Sequence, residues 1–549
     1  MIEHGATLDR PMAVPKIRLK PKFQTGRNTK LSRRRLVAWA ATLGAGLGAG
    51  LGAGIGLFAR PAQAVELVEL VAPFTGDVYT LKVSELANQQ ALLNGTSDLA
   101  ELDRATNGAI GKQLIEVFQK PLPISKGAFD KDSGSPLLQQ VVLVLAQLGE
   151  LEGLKTKELG TEALAKAVDQ AAAGGSITLL SLLQALPGST VRVNLPKVVK
   201  ALQRNAQQRL VTEQLLKTGT PIPSDPSLAN PGSLAVVRRE LSLPVSHRPQ
   251  PLTLVVIQPA SGANGRLVVI SHGLWDAPAS FEGWARHLAS HGYTVVLPVH
   301  PGSDQEQQRA MLAGEAPPPT PDELRLRPMD VSATLDAVQA GQLAGLQGVK
   351  AQTTVVVGHS WGAITVLQLA GGRSSSAPLR QNCGDLKNPE RSLSWILQCS
   401  FVSAVDAPPQ PDGRVKSVVA VSPPIGLLFS PEAAQGIQAR VLLVSGSRDW
   451  VVPPDPEALA PFSQSPAQGH QMVLANGGDH FNLRAPAKAS TPAVLSPLIL
   501  AWVNGTFAAG ANAQPAAGAA TLLPATGWGS SAMPLVEVTP QQAAGASAR

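Results

Sequence analysis

The stretch Val355-Val356-Val357-Gly358-His359-Ser360-Trp361-Gly362-Ala363 decides how the chain reads. A run of β-branched residues stops at a serine bracketed by two glycines. A serine at the tip of a tight strand-to-helix turn is lifted clear of its sheet, and the turn is so sharp that side chains at both glycine positions would clash. Strand-like TTVVVG precedes the serine and helix-like AITVLQLAGG follows it. In a chain with 51 glycines the bare G-x-S-x-G pattern says little; the strand-turn-helix setting makes it a nucleophile elbow.

A serine hydroxyl needs a neighbouring base, and behind such an elbow the partners follow in the order Ser, Asp or Glu, His. Of nine histidines only His470 and His480 lie beyond Ser360. His470 precedes the strand-like HQMVLA and reads as a surface or strand-edge residue. His480 sits in the Gly-rich ANGGDHFN after that strand, in a loop able to carry an imidazole over the sheet edge, and is the candidate base. Asp449, ending RVLLVSGSRD, is the candidate acid, with Asp455 and Asp479 as alternatives. The oxyanion of a tetrahedral intermediate needs two backbone N–H donors. Trp361, directly after the serine, supplies one, and Leu274, in the loop after RLVVISHGLW, supplies the other. His272 reads as a hydrogen bonder that stabilises this turn.

Around this motif the pattern alternates short β-rich runs with helix-length intervals: 234–246, 252–259, 266–271, 294–299, 353–357, 415–421, 440–445 and 471–475. That spacing predicts an eight-stranded, mostly parallel sheet flanked by helices, with an antiparallel edge at the first two runs, over residues 234–507. A closing helix is expected from Pro486 to about Phe507. Residues 65–217 read as a smaller all-helical domain without catalytic signals, 218–233 (TGTPIPSDPSLANPGS from Thr218) as a linker, and 508–549, rich in Ala, Gly and Pro, as a disordered low-complexity tail.

The formal charge of +7 does not argue for a nucleic-acid partner, because of where it lies. Residues 1–64 hold eleven of the 46 Lys and Arg and two of the 39 Asp and Glu, leaving 35 basic against 37 acidic residues elsewhere. This segment has the parts of an export signal: a basic region, a charge-free run from Leu36 to Phe58, then Pro61-Ala62-Gln63-Ala64 as a cleavage site. Ser32-Arg33-Arg34-Arg35-Leu36-Val37 resembles a twin-arginine motif. The expected location is periplasmic or extracellular, the alternative being a membrane anchor formed by residues 36–58. In an exported chain the only two cysteines, Cys383 and Cys399, form a candidate disulfide worth on the order of 3 kcal/mol, the alternative being two buried thiols.

Taken together, VVISHGLW, VVLPVHPGSD, RPMDVSATLD, VVVGHSWGA, VLLVSGSRDWVVP and GGDHFNL resemble the α/β-hydrolase family, in its branch of predicted dienelactone hydrolases and platelet-activating-factor acetylhydrolase-like esterases. Residues 65 to about 216 resemble the N-terminal domain of unknown function of exported cyanobacterial hydrolases. The resemblance implies catalytic roles for Ser360, Asp449 and His480, and oxyanion donors at Leu274 and Trp361. Dienelactone hydrolases proper use cysteine as nucleophile, so the serine here favours ordinary esters. The expectation is a serine ester hydrolase with no cofactor and no metal, acting on a small-molecule or lipid-like ester, with peripheral membrane association and no nucleic acid. A thioesterase or lactonase with the same triad, and a catalytically silent envelope binding protein, are the alternatives. The 372–413 insertion, the 302–326 loop and the N-terminal domain are the candidates to roof the pocket.

Overall fold

In a computed structural model, residues 64–547 are described except for 72–75, 123, 127–134, 141–148, 153–159, 385–390, 407–410, 430, 466–467 and 488–492. The candidate export segment lies outside the described residues, save for Ala64 at its end. Among the described residues no helix is long and apolar enough to cross a membrane.

The N-terminal region is not all helical. Strands β1 (Leu67–Val71), β2 (Val78–Lys82), β3 (Gly149–Glu152) and β4 (Thr190–Asn194) form a small sheet in the order β2-β1-β4-β3, with β1 and β4 parallel. Val65, Val68, Leu81, Val83, Leu86 and Leu151 bury its apolar face. These strands were missed because each is four or five residues long, too short for alternation to stand out from helical spacing. Helices such as Asp98–Ala105 and Thr161–Ala172 complete the domain. The long helix Leu195–Thr218 leads out of it and places Leu215 in the core of the larger domain.

The larger domain is built on β5 (Val236–Leu243), β6 (Leu252–Pro259), β7 (Arg266–Ser271), β8 (Thr294–Pro298), β9 (Lys350–His359), β10 (Val415–Val421), β11 (Arg440–Gly446), β12 (Gln471–Ala475) and β13 (Leu535–Val538). Their order is β13-β12-β11-β10-β9-β7-β8-β6-β5. The eight expected strands are all present, from β5 to β12. Those from β8 to β12 run parallel, whereas β6 and β5 are antiparallel at one edge. The near-continuous apolar runs follow from burial on both faces. Val256, Val269 and Val356 meet the helices Glu323–Gln339 and Trp361–Leu369, while Val255, Val268 and Val357 meet Glu282–Ser290 and Ser496–Ala509.

The ninth strand comes from the segment read as a disordered tail. β13 pairs antiparallel with β12, Trp528 is fully buried, and its indole Nε1 donates to the Pro524 carbonyl at 2.8 Å. Burying one such indole contributes on the order of 4 kcal/mol. The segment read as a linker packs on this tail: Ile222 N–H donates to the Leu535 carbonyl at 2.9 Å and Asp225 N–H to that of Gly527 at 2.8 Å. The tail glycines permit close approach, since a Cβ on Gly529 would lie 1.7 Å from the Ile222 carbonyl oxygen.

Candidate active site

Strand β9 ends at His359, and Ser360 follows with φ 56° and ψ −120°, a conformation rarely tolerated outside glycine and held here by the surrounding packing. The steric reason for the flanking glycines is plain in distances. A Cβ on Gly358 would lie 2.1 Å from the Gly362 carbonyl oxygen, and one on Gly362 would lie 2.1 Å from that of Ser271. Ser360 is 4% exposed and stands at the N-terminus of the helix Trp361–Leu369.

Asp449 and His480 lie just beyond the C-terminal ends of β11 and β12. His480 Nδ1 and Asp449 Oδ2 are 2.9 Å apart. The other carboxylate oxygen accepts from the N–H groups of Val451 at 3.0 Å and Val452 at 2.8 Å, so the acid is fixed at both oxygens. An ionised carboxylate only accepts, which puts the imidazole proton on Nδ1 and leaves Nε2 as the basic atom. The loops approach because both carry glycine at the crossing: a Cβ on Gly446 would lie 2.4 Å from the Gly478 carbonyl oxygen. Asp479 instead pins the turn that presents His480, accepting from the N–H groups of Phe481 at 2.8 Å and Asn482 at 2.7 Å. His470 sits at the opposite end of β12, where its Nδ1 accepts from Val441 N–H at 3.2 Å.

His359 was missed in the sequence. Its Nε2 donates to the His480 carbonyl at 2.9 Å, and the two rings lie 4.7 Å apart, so the residue before Ser360 holds the backbone of the candidate base. Burial, then the charges of His480 and Arg484, push its pKa well below the ordinary histidine value. The missed signal was strand alternation, which puts His359 on the face shared by Val355 and Val357, an enclosed place for an imidazole.

The loop after β7 lies against the elbow: a Cβ on Gly273 would be 3.2 Å from Ser360 Cβ. Leu274, half-buried, packs on the core beside it. The Trp361 side chain belongs to the core, its ring 4.5 Å from that of Phe401 and its Nε1 donating to the Leu397 carbonyl at 3.0 Å. Trp284 is core as well, while Trp275 donates to Gln307 Oε1 at 2.8 Å.

Cys383 and Cys399 form a disulfide with their Cα atoms 5.6 Å apart, tying together the two helices of the insertion, Ser376–Gly384 and Leu393–Cys399. Beside it Gln398 Oε1 accepts from the N–H groups of Leu427 at 2.7 Å and Leu428 at 3.0 Å, and its Nε2 donates to Glu457 Oε2 at 3.0 Å. Burial pushes the Glu457 carboxyl up. The N-terminal domain reaches two of the expected roofing segments. Ser125 N–H donates to the Leu312 carbonyl at 2.8 Å, and Arg204 Nη2 to that of Arg391 at 3.1 Å.

An elbow serine between β9 and its helix, with an aspartate and a histidine following β11 and β12, sits on a parallel sheet with an antiparallel edge. Residues 266–376, which span β7 to the elbow helix, match the family model described as alpha/beta hydrolase fold. The larger domain has the α/β-hydrolase fold. Residues 69–194, in the N-terminal domain, match a second model described as alpha/beta hydrolase of unknown function (DUF1400). Among curated proteins none matches the sequence. The α/β-hydrolase fold and the two matches point to a hydrolase.

Proposed function

We propose that the chain is an exported serine hydrolase of carboxylic esters, acting through an acyl-enzyme. The observation that carries this reading is the 2.9 Å contact between His480 Nδ1 and Asp449, made at the sheet edge where Ser360 occupies the elbow and His359 bonds the His480 backbone. Ser360 Oγ attacks the acyl carbon while His480 Nε2 takes its proton, and Asp449 stabilises the imidazolium that forms. The oxyanion is received by the N–H groups of Trp361 and Leu274. Collapse expels the alcohol with the proton returned by His480, and a water, activated by the same imidazole, hydrolyses the acyl-enzyme.

An apolar or lipid-like ester is favoured by Trp450 and Phe481, which directly follow the acid and the base and are 56% and 51% exposed. Two large exposed aromatics at such positions suit a substrate or surface with an apolar body, and peripheral membrane association follows from the same feature. Ordinary esters of the acetylhydrolase type agree with a serine nucleophile. Export rests on the composition of residues 1–64 and is supported by the disulfide.

The test is fluorophosphonate labelling followed by a panel of p-nitrophenyl esters of increasing acyl length, on the native chain and on Ser360→Ala. Labelling of the native chain alone, with ester turnover, supports the reading. Labelling that persists in Ser360→Ala moves the nucleophile elsewhere. Absence of both label and turnover in the native chain favours a silent envelope binding protein, and turnover of thioesters or lactones alone favours the corresponding hydrolase.

A further inference from the structure

Beside the elbow, the ends of β7 and β8 and the helix Glu323–Gln339 bring together a second serine, histidine and aspartate that ester hydrolysis does not use. Ser271 Oγ is 2.9 Å from His300 Nε2, and His300 Nδ1 is 2.8 Å from Asp330 Oδ2. All three are fully buried, so no substrate reaches them. Asp330 also receives Arg248 Nη2 at 2.7 Å and His247 Nε2 at 2.8 Å, while Arg248 Nη1 donates to Glu323 at 2.6 Å. The set is thus anchored in a buried ion-pair network that fixes its members.

What this anchor holds is the loop on which the oxyanion donor is expected. The backbone N–H of His300 donates to His272 Nε2 at 3.1 Å. A backbone N–H can only donate, so Nε2 must accept and the ring proton sits on Nδ1. Nδ1 lies 2.8 Å from the Gly273 carbonyl oxygen, which can only accept. Both contacts specify the same neutral tautomer; Arg327 Nη2 also comes within 3.5 Å of Nδ1, a longer approach whose donor is directed to the His272 carbonyl. The Gly273 carbonyl belongs to the peptide whose N–H is that of Leu274, and in a planar trans peptide fixing the C=O fixes the N–H in the opposite direction. The Arg327 guanidinium, itself fully buried, donates to the preceding carbonyl, that of His272. Two successive carbonyls of the loop are thus held from within the protein. The two histidines brace one another across the strand ends: the His300 ring grips Ser271, its neighbour His272 grips the His300 backbone, and the ring centres are 4.9 Å apart.

We propose that the buried Asp330–His300–Ser271 set, acting through His272, is a positioning device that locks the Gly273–Leu274 peptide with its N–H directed at the oxyanion. This rests on the reading of Ser360 as nucleophile and Leu274 as donor. Ser271, His272 and His300 are positioning residues, touching no substrate.

The experiment uses the full chain and three readings. His272→Phe keeps the ring volume and removes both hydrogen bonds; kcat is expected to fall on the order of 100-fold with KM within about twofold, the loss typical of one oxyanion donor. The rate of fluorophosphonate labelling falls by a similar factor, because its phosphoryl oxygen uses the same donors, whereas the pH midpoint of the rate stays in place. Ser271→Ala, which loosens His300 without emptying the core, lowers kcat about threefold to tenfold in the same pattern. In the native chain, nitrogen-15 spectra of the histidine rings show His272 in the Nδ1–H form. A kcat for His272→Phe within threefold of native, a loss expressed in KM or in the pH midpoint, or a His272 ring protonated on Nε2 would each overturn the proposal while leaving Ser360 as the labelled nucleophile. A native chain that is neither labelled nor active overturns the hydrolase reading, and the positioning role with it.

Discussion

Two histidine–aspartate pairs stand at the same edge of this sheet, joined by contacts of 2.9 Å (His480 and Asp449) and 2.8 Å (His300 and Asp330). Each has a serine nearby, yet the surroundings give them opposite uses. Asp449 takes its remaining hydrogen bonds from two backbone N–H groups, and its histidine lies in a loop bordered by an exposed phenylalanine. Asp330 is loaded with an arginine and a second histidine, and its pair is sealed. Ser360 stands on a strained turn at a helix N-terminus, whereas Ser271 is the last residue of a strand. Hydrogen-bond distance between the three residue types is therefore no sufficient sign of catalysis. The elbow, the adjacent oxyanion loop and access to substrate separate a candidate reaction centre from a brace.

The comparison breaks most sharply at the serines. Ser360→Ala is expected to lower kcat/KM for a p-nitrophenyl ester by about 10⁴-fold or more, while Ser271→Ala costs no more than about tenfold. Similar losses in the two variants, measured on chains with matching circular dichroism, would erase the distinction.

At the aspartates the contrast is between activity and stability. Asp449→Asn leaves the fold intact and lowers kcat by about 10³–10⁴-fold, because the amide supports the wrong imidazole tautomer. Asp330→Asn breaks one of the two buried ion pairs of Arg248, whose guanidinium, against burial, the Asp330 and Glu323 carboxylates hold above its ordinary value, and leaves Glu323 as its remaining carboxylate partner. Its expected cost is about 3–5 kcal/mol of unfolding free energy. Chemical denaturation of both variants reads this directly.

The comparison also shows which parts of the molecule the chain declares. The elbow was legible because a chemical demand, a serine lifted between two sterically compelled glycines, is written in five consecutive residues. Asp449 and His480 followed from strand ends and elimination. The brace was not legible: Ser271, His300 and Asp330 lie on separate elements, and only the register that places the ends of β7 and β8 side by side, with the helix Glu323–Gln339 packed on them, brings them together. Glycine misled elsewhere. In the tail, composition pointed to disorder, but Gly529 is a point where another backbone passes within contact, and Leu535–Val538 pairs as β13 with β12. The short strands of the N-terminal sheet were hidden for a different reason, their length.

Acid sharpens the difference between the two pairs. Burial first, then the Arg327 charge, pulls His300 down to about 4 despite Asp330, and burial likewise pulls His287 and His470 to about 4 and His272 and His359 well below their ordinary value. These groups are neutral when folded, and the unfolded chain takes up their protons first. Stability is therefore whole above pH 6.5 and is lost as the pH falls from 6.5 toward about 4, each buried histidine costing about 1.4 kcal/mol per pH unit. Thermal unfolding followed from pH 7.5 to 4.5 should show this fall. A flat profile would mean that the brace is hydrated and open to protons.

The smallest expected effect falls on His359, which belongs to neither pair but touches that of His480 and Asp449. His359→Phe preserves the tilted ring packed beside that of His480 and removes the single N–H that holds the His480 carbonyl. Nδ1 of His359 makes no hydrogen bond among the described residues, so the substitution sacrifices one bond only. A base freed to drift by a few tenths of an ångström still reaches its proton in most orientations, so kcat is expected to drop about tenfold, equivalent to about 1.4 kcal/mol of barrier, with KM and the melting temperature little changed. A loss as large as that of Asp449→Asn would mean that the strand-final histidine, and not the aspartate, sets the position of the imidazole, and the ranking of the two supports would be reversed.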